Sequence, residues 1–172
     1  NKRRRESVQR IEQALLEELK TKELAQIKVS DICKAADINR STFYANYTDI
    51  YDLADKIREG LEVEVYRLFE QEVEVRHNGS DFLKLFCHIS ENQLLYQTFF
   101  KLDYDSEYGA GIYEFFRLMD DFDTKYLAYH IEFFRNGFNA IVRKWLEGDC
   151  KETPEEMYNI LMNESRGRFK KE

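Results

Sequence analysis

Apolar residues recur at steps of three and four along most of this chain, the spacing that lines up one face of an α-helix. Over residues 3–21 they are Val8, Ile11, Leu15 and Leu19, with Glu12, Glu17 and Glu18 off that face. Val29, Ile32, Ala35 and Ala36 form a shorter stripe, interrupted by Asp37-Ile38-Asn39. Asn39 carries the side-chain oxygen that an N-cap needs, so Arg40 to Asn46 reads as a second short helix. A long helix follows, from Asp49 to about Arg76, with Thr48 as its cap and Ile50, Leu53, Ile57, Leu61, Val65 and Leu68 along one side. His77-Asn78-Gly79-Ser80 is the first cluster of breakers.

Beyond it, Asp81 to Leu102 predicts one or two helices with a break near Ser90-Glu91-Asn92. Asp103 to Gly111 is a loop, and Ile112 to Phe122 is helical again. From Thr124 to Leu146 the apolar positions Leu127, Ile131, Phe134, Phe138, Ile141 and Trp145 are the most regular in the chain, and Gly148-Asp149 ends them. Thr153-Pro154-Glu155-Glu156 is a capping box with proline at the first helical position. The last helix carries Met157, Ile160 and Leu161. The expected fold is all-α, about nine helices. An N-terminal three-helix domain at 1–47 leads through a long helix (about 48–76) into a C-terminal bundle within 48–172.

Composition agrees. One proline and seven glycines in 172 residues are too few for the turns of a β-rich protein. No apolar run approaches the length that spans a bilayer, and no apolar stretch follows the basic start of the chain, so neither a membrane span nor a signal peptide is expected. Three cysteines, Cys33, Cys87 and Cys150, are odd in number and far apart; they read as reduced, packed thiols of a cytoplasmic protein.

The net charge of −7 opposes nucleic-acid binding until it is divided along the chain. Residues 1–60 carry +1 and residues 61–172 carry −8, and Lys2, Arg3, Arg4 and Arg5 cluster at the start. An acidic remainder would repel DNA and so aim the N-terminal part at it.

Two short helices joined by about three residues, over Val29 to Tyr47, make the helix-turn-helix plan. A recognition helix must present polar side chains near its N-terminus, and Arg40, Ser41 and Thr42 are there. The stretch Ile32-Cys-Lys-Ala-Ala-Asp-Ile-Asn-Arg-Ser-Thr-Phe-Tyr-Ala-Asn-Tyr47 resembles the signature of the TetR family of regulators, with a likeness covering about residues 8–60. The resemblance implies that Ile32, Ala36 and Ile38 hold the two helices together. It places Asn39, Arg40, Ser41 and Tyr44 facing DNA, Arg40 toward base edges. Thr42, Tyr44, Asn46 and Tyr47 would lie near phosphates, and Lys28 and Ser30 would meet another at the start of the first motif helix. Lys2 to Arg5 would form a flexible arm for the backbone or the minor groove. Two positions depart from the family pattern. Asp37 stands where a turn glycine is usual, and Ile50 where a lysine opens the fourth helix. Asp tolerates a left-handed backbone better than most residues.

Residues beyond 60 hold 21 of the 25 aromatics. A bundle of this kind can enclose an apolar effector site, lined by Phe86, Tyr96, Phe100, Tyr104, Tyr113, Phe116, Tyr126 and His130; the same residues suit an ordinary core. The segment from Phe133 to Glu156 resembles the C-terminal helix pair through which one branch of the family dimerises. Phe134, Phe138, Ile141 and Trp145, with Met157, Ile160 and Leu161, would form that interface, or else pack within their own subunit. The partners implied are double-stranded DNA with a palindromic operator, a second copy of the chain, and a small apolar or aromatic effector.

No glycine loop for phosphate, no nucleophile elbow and no metal-ligand spacing around His77, His88 or His130 points to an enzyme, and no cofactor is expected. Asp120-Asp121-Phe122-Asp123 reads as a solvated helix end. The function expected is a sequence-specific DNA-binding regulator, a repressor released by a small molecule. Two alternatives remain open: a chromosome-organising protein on the same scaffold, and a helical interaction protein that has lost DNA binding.

Overall fold

The computed structural model describes residues 2–70, 80–102 and 124–166. Within them lie eight α-helices and no strand, as the apolar spacing predicts. They are α1 (Lys2–Glu18), α2 (Val29–Ala35), α3 (Arg40–Tyr44), α4 (Ile50–Glu70), α5 (Ser80–Glu91), α6 (Gln93–Lys101), α7 (Leu127–Glu147) and α8 (Pro154–Arg166). Short 3-10 turns cover Leu24–Gln26 and Thr124–Tyr126. The expected loop at 103–111, the helix at 112–122, the acidic cluster at 120–123 and three proposed effector-site residues, Tyr104, Tyr113 and Phe116, lie outside the described residues. The chain divides into two compact units, Asn1–Leu61 and Glu62–Glu172, and the division falls inside α4.

In the first unit α1 packs on α2 and α2 on α3. Its core is the set of helix-face residues Ile11, Leu15, Leu19, Ile32, Phe43 and Leu53, each at most 2% exposed. Burying one such aliphatic side chain contributes about 1.5–3 kcal/mol. The expected cap of α4 shifts by one residue. Asp49, rather than Thr48, accepts the N–H of Asp52 at 2.8 Å, while the Asp52 carboxylate accepts the N–H of Thr48 at 2.7 Å. A carboxylate satisfies orphan amides at a helix start better than a hydroxyl, because the local dipole favours its charge.

In the second unit α5 packs against α8 and against α6, and α6 packs against α7. Phe138 of α7 lies 5.7 Å from both Phe82 and Phe86 of α5, and Phe86 meets Trp145 edge-on at the same distance. The break between α5 and α6 falls at Asn92, inside the expected stretch. The α8 capping box forms as its sequence predicts: Thr153 Oγ1 accepts from Glu156 N at 3.2 Å and Glu156 Oε2 accepts from Thr153 N at 2.7 Å. No described helix is long and apolar enough to cross a membrane.

Candidate nucleic-acid interface

The turn between α2 and α3 is built from backbone. Ala36 ends α2, Asp37 takes a left-handed φ of 51°, and Ile38 N donates to Cys33 O at 3.0 Å while Asp37 N donates to Lys34 O at 3.3 Å. These two crossed bonds are a Schellman ending, which needs one residue at positive φ. Asp37 supplies it without glycine. Arg10 of α1 donates to the Asp37 carbonyl at 3.4 Å, tying the turn to the first helix.

The α3 helix then starts on Asn39. Its side-chain oxygen accepts from Thr42 N at 2.8 Å, Ser41 Oγ at 2.7 Å and Thr42 Oγ1 at 2.8 Å. Asn39 and Ser41, expected to face DNA, and Thr42, expected near a phosphate, are therefore joined in one cap. That leaves the Asn39 amide N–H groups and the Arg40 guanidinium without a hydrogen bond among the described residues, both on exposed residues. The inner side of α3 is anchored by Phe43, fully buried and 5.5 Å from the Tyr44 ring. Tyr44 itself is 56% exposed. Lys28 is exposed and Ser30 partly so at the start of α2, where Asp31 accepts the Lys28 N–H at 3.2 Å.

Three expectations need correction. Tyr47 is 4% exposed, its ring is 5.7 Å from Phe43, and its hydroxyl donates to Glu12 Oε1 at 3.1 Å. It belongs to the core of the unit, where an aromatic following α3 closes the gap to α1. Burial first, and Glu12 beside it, push its phenol far above the ordinary range. Lys2 to Arg5 are not a loose arm but the first turn of α1, with every one of these side chains exposed. No proline or glycine interrupts the helix there. The third correction concerns the dimer face. Phe138, Trp145, Met157 and Leu161 are at most 5% exposed within their own unit, because α5 covers that stripe; Phe134 and Ile141 are partly exposed and Ile160 is 42% exposed. The outward apolar residues are Tyr126 at 48%, Tyr129 at 77% and Phe133 at 60%.

Two basic residues make contacts that the sequence does not predict, Arg4 of the basic cluster and Lys56, which has no role in the sequence expectation. Arg4 Nε donates to Asn46 Oδ1 at 3.0 Å, and Lys56 Nζ donates to the Asn46 carbonyl at 2.9 Å while lying 5.1 Å over the Tyr47 ring. Neither contact leaves a trace in local spacing, since 42 and 10 residues separate the partners. Ile50, in place of the family lysine, is buried, so Lys56 brings the cation to the end of α3 instead. Cations in this unit are also sorted. Lys20 and Lys22 pair with Glu17 and Glu18, whereas Arg3, Arg5, Lys28, Lys34 and Arg40 form no ion pair among the described residues.

Of the proposed effector-site residues that are described, Phe86 and Tyr96 are buried, Phe100 is partly exposed with Arg143 5.0 Å over its ring, and Tyr126 and His130 are exposed. His88 Nδ1 meets Tyr96 Oη at 2.8 Å. All three cysteines are free thiols raised above their ordinary value by burial. Among the described residues no three potential ligand side chains converge on a metal position.

A family model described as the transcriptional regulator C-terminal region matches residues 79–167. Two solved structures share the fold over nearly the whole chain. The dihydroxyacetone kinase operon activator DhaS is 20% identical with a TM-score of 0.66, covering 95% of this chain and 96% of its own. A TetR transcriptional regulator from Streptococcus agalactiae is 22% identical with a TM-score of 0.66, covering 95% of each chain. No curated protein sequence matches. The family match takes in more than half of the chain, and on it the chain belongs to the TetR family of transcriptional regulators.

Proposed function

We propose that the chain reads a palindromic DNA operator as a homodimer, with α3 in the major groove, and represses transcription until a small apolar or aromatic molecule enters the second unit. The observation that carries the reading is at the start of α3. The Arg40 guanidinium and the N–H groups of the Asn39 amide are exposed and make no hydrogen bond among the described residues, on a helix whose opposite side is locked by buried Phe43. Arginine offers a paired donor that matches guanine, and the free N–H end of the Asn39 amide can donate to an acceptor on a base edge or a phosphate. Tyr44, Lys28 and Ser30 supply donors to the flanking phosphates.

Twofold symmetry is what a palindrome demands. The outward side of α7 supports it. Tyr129 and Phe133 are exposed four residues apart, and a Cβ added at Gly137, the next position on that side, would meet nothing within 4 Å. That side, with Ile160 of α8, replaces the buried stripe as the proposed dimer face. The aromatic second unit supports an effector, with the Tyr96–His88 pair as its polar element.

Selection of bound duplexes from a random DNA pool tests the reading. Enrichment of an inverted repeat with half-sites about one helical turn apart is expected. A pool that stays random after selection would overturn it, and a reporter driven by the enriched site gives the sign of regulation.

A further inference from the structure

We propose that Arg4 is a phosphate-binding residue of the first unit and that Asn46 is the positioning residue that aims it; the proposal rests on the reading of α3 as the DNA helix. Arg4 Nε donates to Asn46 Oδ1 at 3.0 Å, and the other end of the same amide, Nδ2, donates to the Thr42 carbonyl within α3 at 2.8 Å. One asparagine thus ties the first turn of α1 to the recognition helix. Only Nε of Arg4 is engaged. The two terminal nitrogens make no hydrogen bond among the described residues, and together they present the fork that fits two oxygens of a phosphate.

The holding partner is a neutral amide, so no carboxylate offsets the charge of Arg4, whereas glutamates offset those of Lys20 and Lys22. The local chemistry also runs against stability. Four cations, Lys2 to Arg5, occupy the first turn of α1, which holds no acidic residue, although the helix N-terminus is the positive end of its dipole. Charges placed against the dipole and left exposed mark a surface selected for a negative partner rather than for folding. Because the asparagine is fixed at both ends, the guanidinium is set in place before DNA arrives, which a loose arm would not achieve.

The test measures binding of the whole chain to mixed-sequence duplex DNA across a salt series, since phosphate contacts do not depend on base sequence. Arg4→Ala is expected to weaken binding and to reduce the slope of log affinity against log salt by about 0.9, one contact's worth. Asn46→Ala should weaken binding too, and the double variant should bind no worse than Arg4→Ala, because the second change removes a residue with nothing left to aim. Arg4→Lys should recover the slope but not the affinity, having charge without the fork. Arg4→Gln, which keeps helix propensity, stands in if the alanine variant unfolds. An unchanged slope and affinity in Arg4→Ala overturns the phosphate contact, and additive losses overturn the aiming role. A wild-type chain that binds no duplex even at low salt overturns the DNA reading and this proposal with it; binding by the wild type with no change in the variants overturns this proposal alone.

Discussion

His88 Nδ1 lies 2.8 Å from the hydroxyl of Tyr96, with the two rings edge-on at 5.7 Å. The other ring nitrogen faces Glu64 Oε2 at 3.3 Å. Tyr96 is 6% exposed, and its phenol is pushed far above the ordinary range, chiefly by burial and further by Glu64. The hydroxyl is therefore protonated at any physiological pH. The imidazole thus bridges the Tyr96 hydroxyl and the Glu64 carboxylate, and the three groups link α4, α5 and α6. Tyr96→Phe keeps the ring and removes this bond. It should cost about 0.5–1.5 kcal/mol. His88→Leu should cost more, about 1–3 kcal/mol, because it strands a buried hydroxyl. Urea midpoints of the two variants against wild type check the order; midpoints equal to that of the wild type would show the bond to be idle.

Arg40 is exposed and makes no side-chain hydrogen bond among the described residues, so its removal should leave folding alone and act on DNA only. Arg40→Ala is expected to lose about 1–3 kcal/mol on the selected operator and to relax specificity at one base pair. Competition binding against single-base operator variants checks it. A uniform loss across all variants would move Arg40 from base reading to a phosphate.

Trp145 and Phe133 sit on one helix and separate two kinds of burial. Trp145 is 2% exposed, packs edge-on against Phe86 and donates Nε1–H to the Glu152 carbonyl at 3.0 Å. Trp145→Ala should cost about 3–5 kcal/mol of folding stability. Phe133→Ser, from a side chain 60% exposed, should leave the urea midpoint nearly unchanged but shift sedimentation toward monomer. A Phe133→Ser chain that sediments as wild type would remove this side of α7 from the interface.

These two residues also show how far the sequence can be read. Among the described residues the helix positions, the α8 box and the Asn39 cap follow from local spacing and side-chain chemistry, and the structure repeats them; the turn at Asp37 follows from the family resemblance. What periodicity could not decide is which of two apolar stripes on α7 faces inward. Phe134-Phe138-Trp145 and Tyr129-Phe133-Gly137 both satisfy a helical repeat, and only the position of α5 distinguishes them. Nor does spacing place Tyr47: a lone aromatic between polar neighbours fits a surface or a gap equally well. The Arg4–Asn46 and Lys56–Asn46 contacts depend on tertiary approach and have no local signature.

Asp37 holds a left-handed backbone that costs a non-glycine residue about 1–2 kcal/mol. Its polar side chain softens that cost; a β-branched one would not. Asp37→Val should lower stability by about 1–2 kcal/mol, while Asp37→Gly should hold or raise it. Thermal unfolding of the pair checks the direction. If valine is tolerated as well as glycine, the Schellman turn is not what joins α2 to α3.

Asp52 gives the chain a pH dependence with a definite sign. The Thr48 N–H that it accepts, aided by Lys56 at 3.2 Å, holds its carboxyl below the usual carboxylate range. A depressed folded-state value means the contribution is present above the unfolded value, about 3.9, and is lost as the pH falls through the folded one. Asp52→Ala removes the acceptor at every pH. The stability gap between wild type and variant should therefore be full at neutral pH and close progressively below about pH 4. Urea midpoints across that range measure the gap. A gap that persists undiminished at the acid end would mean that the α4 start is held by Asp49 alone and that the Asp52 charge contributes nothing.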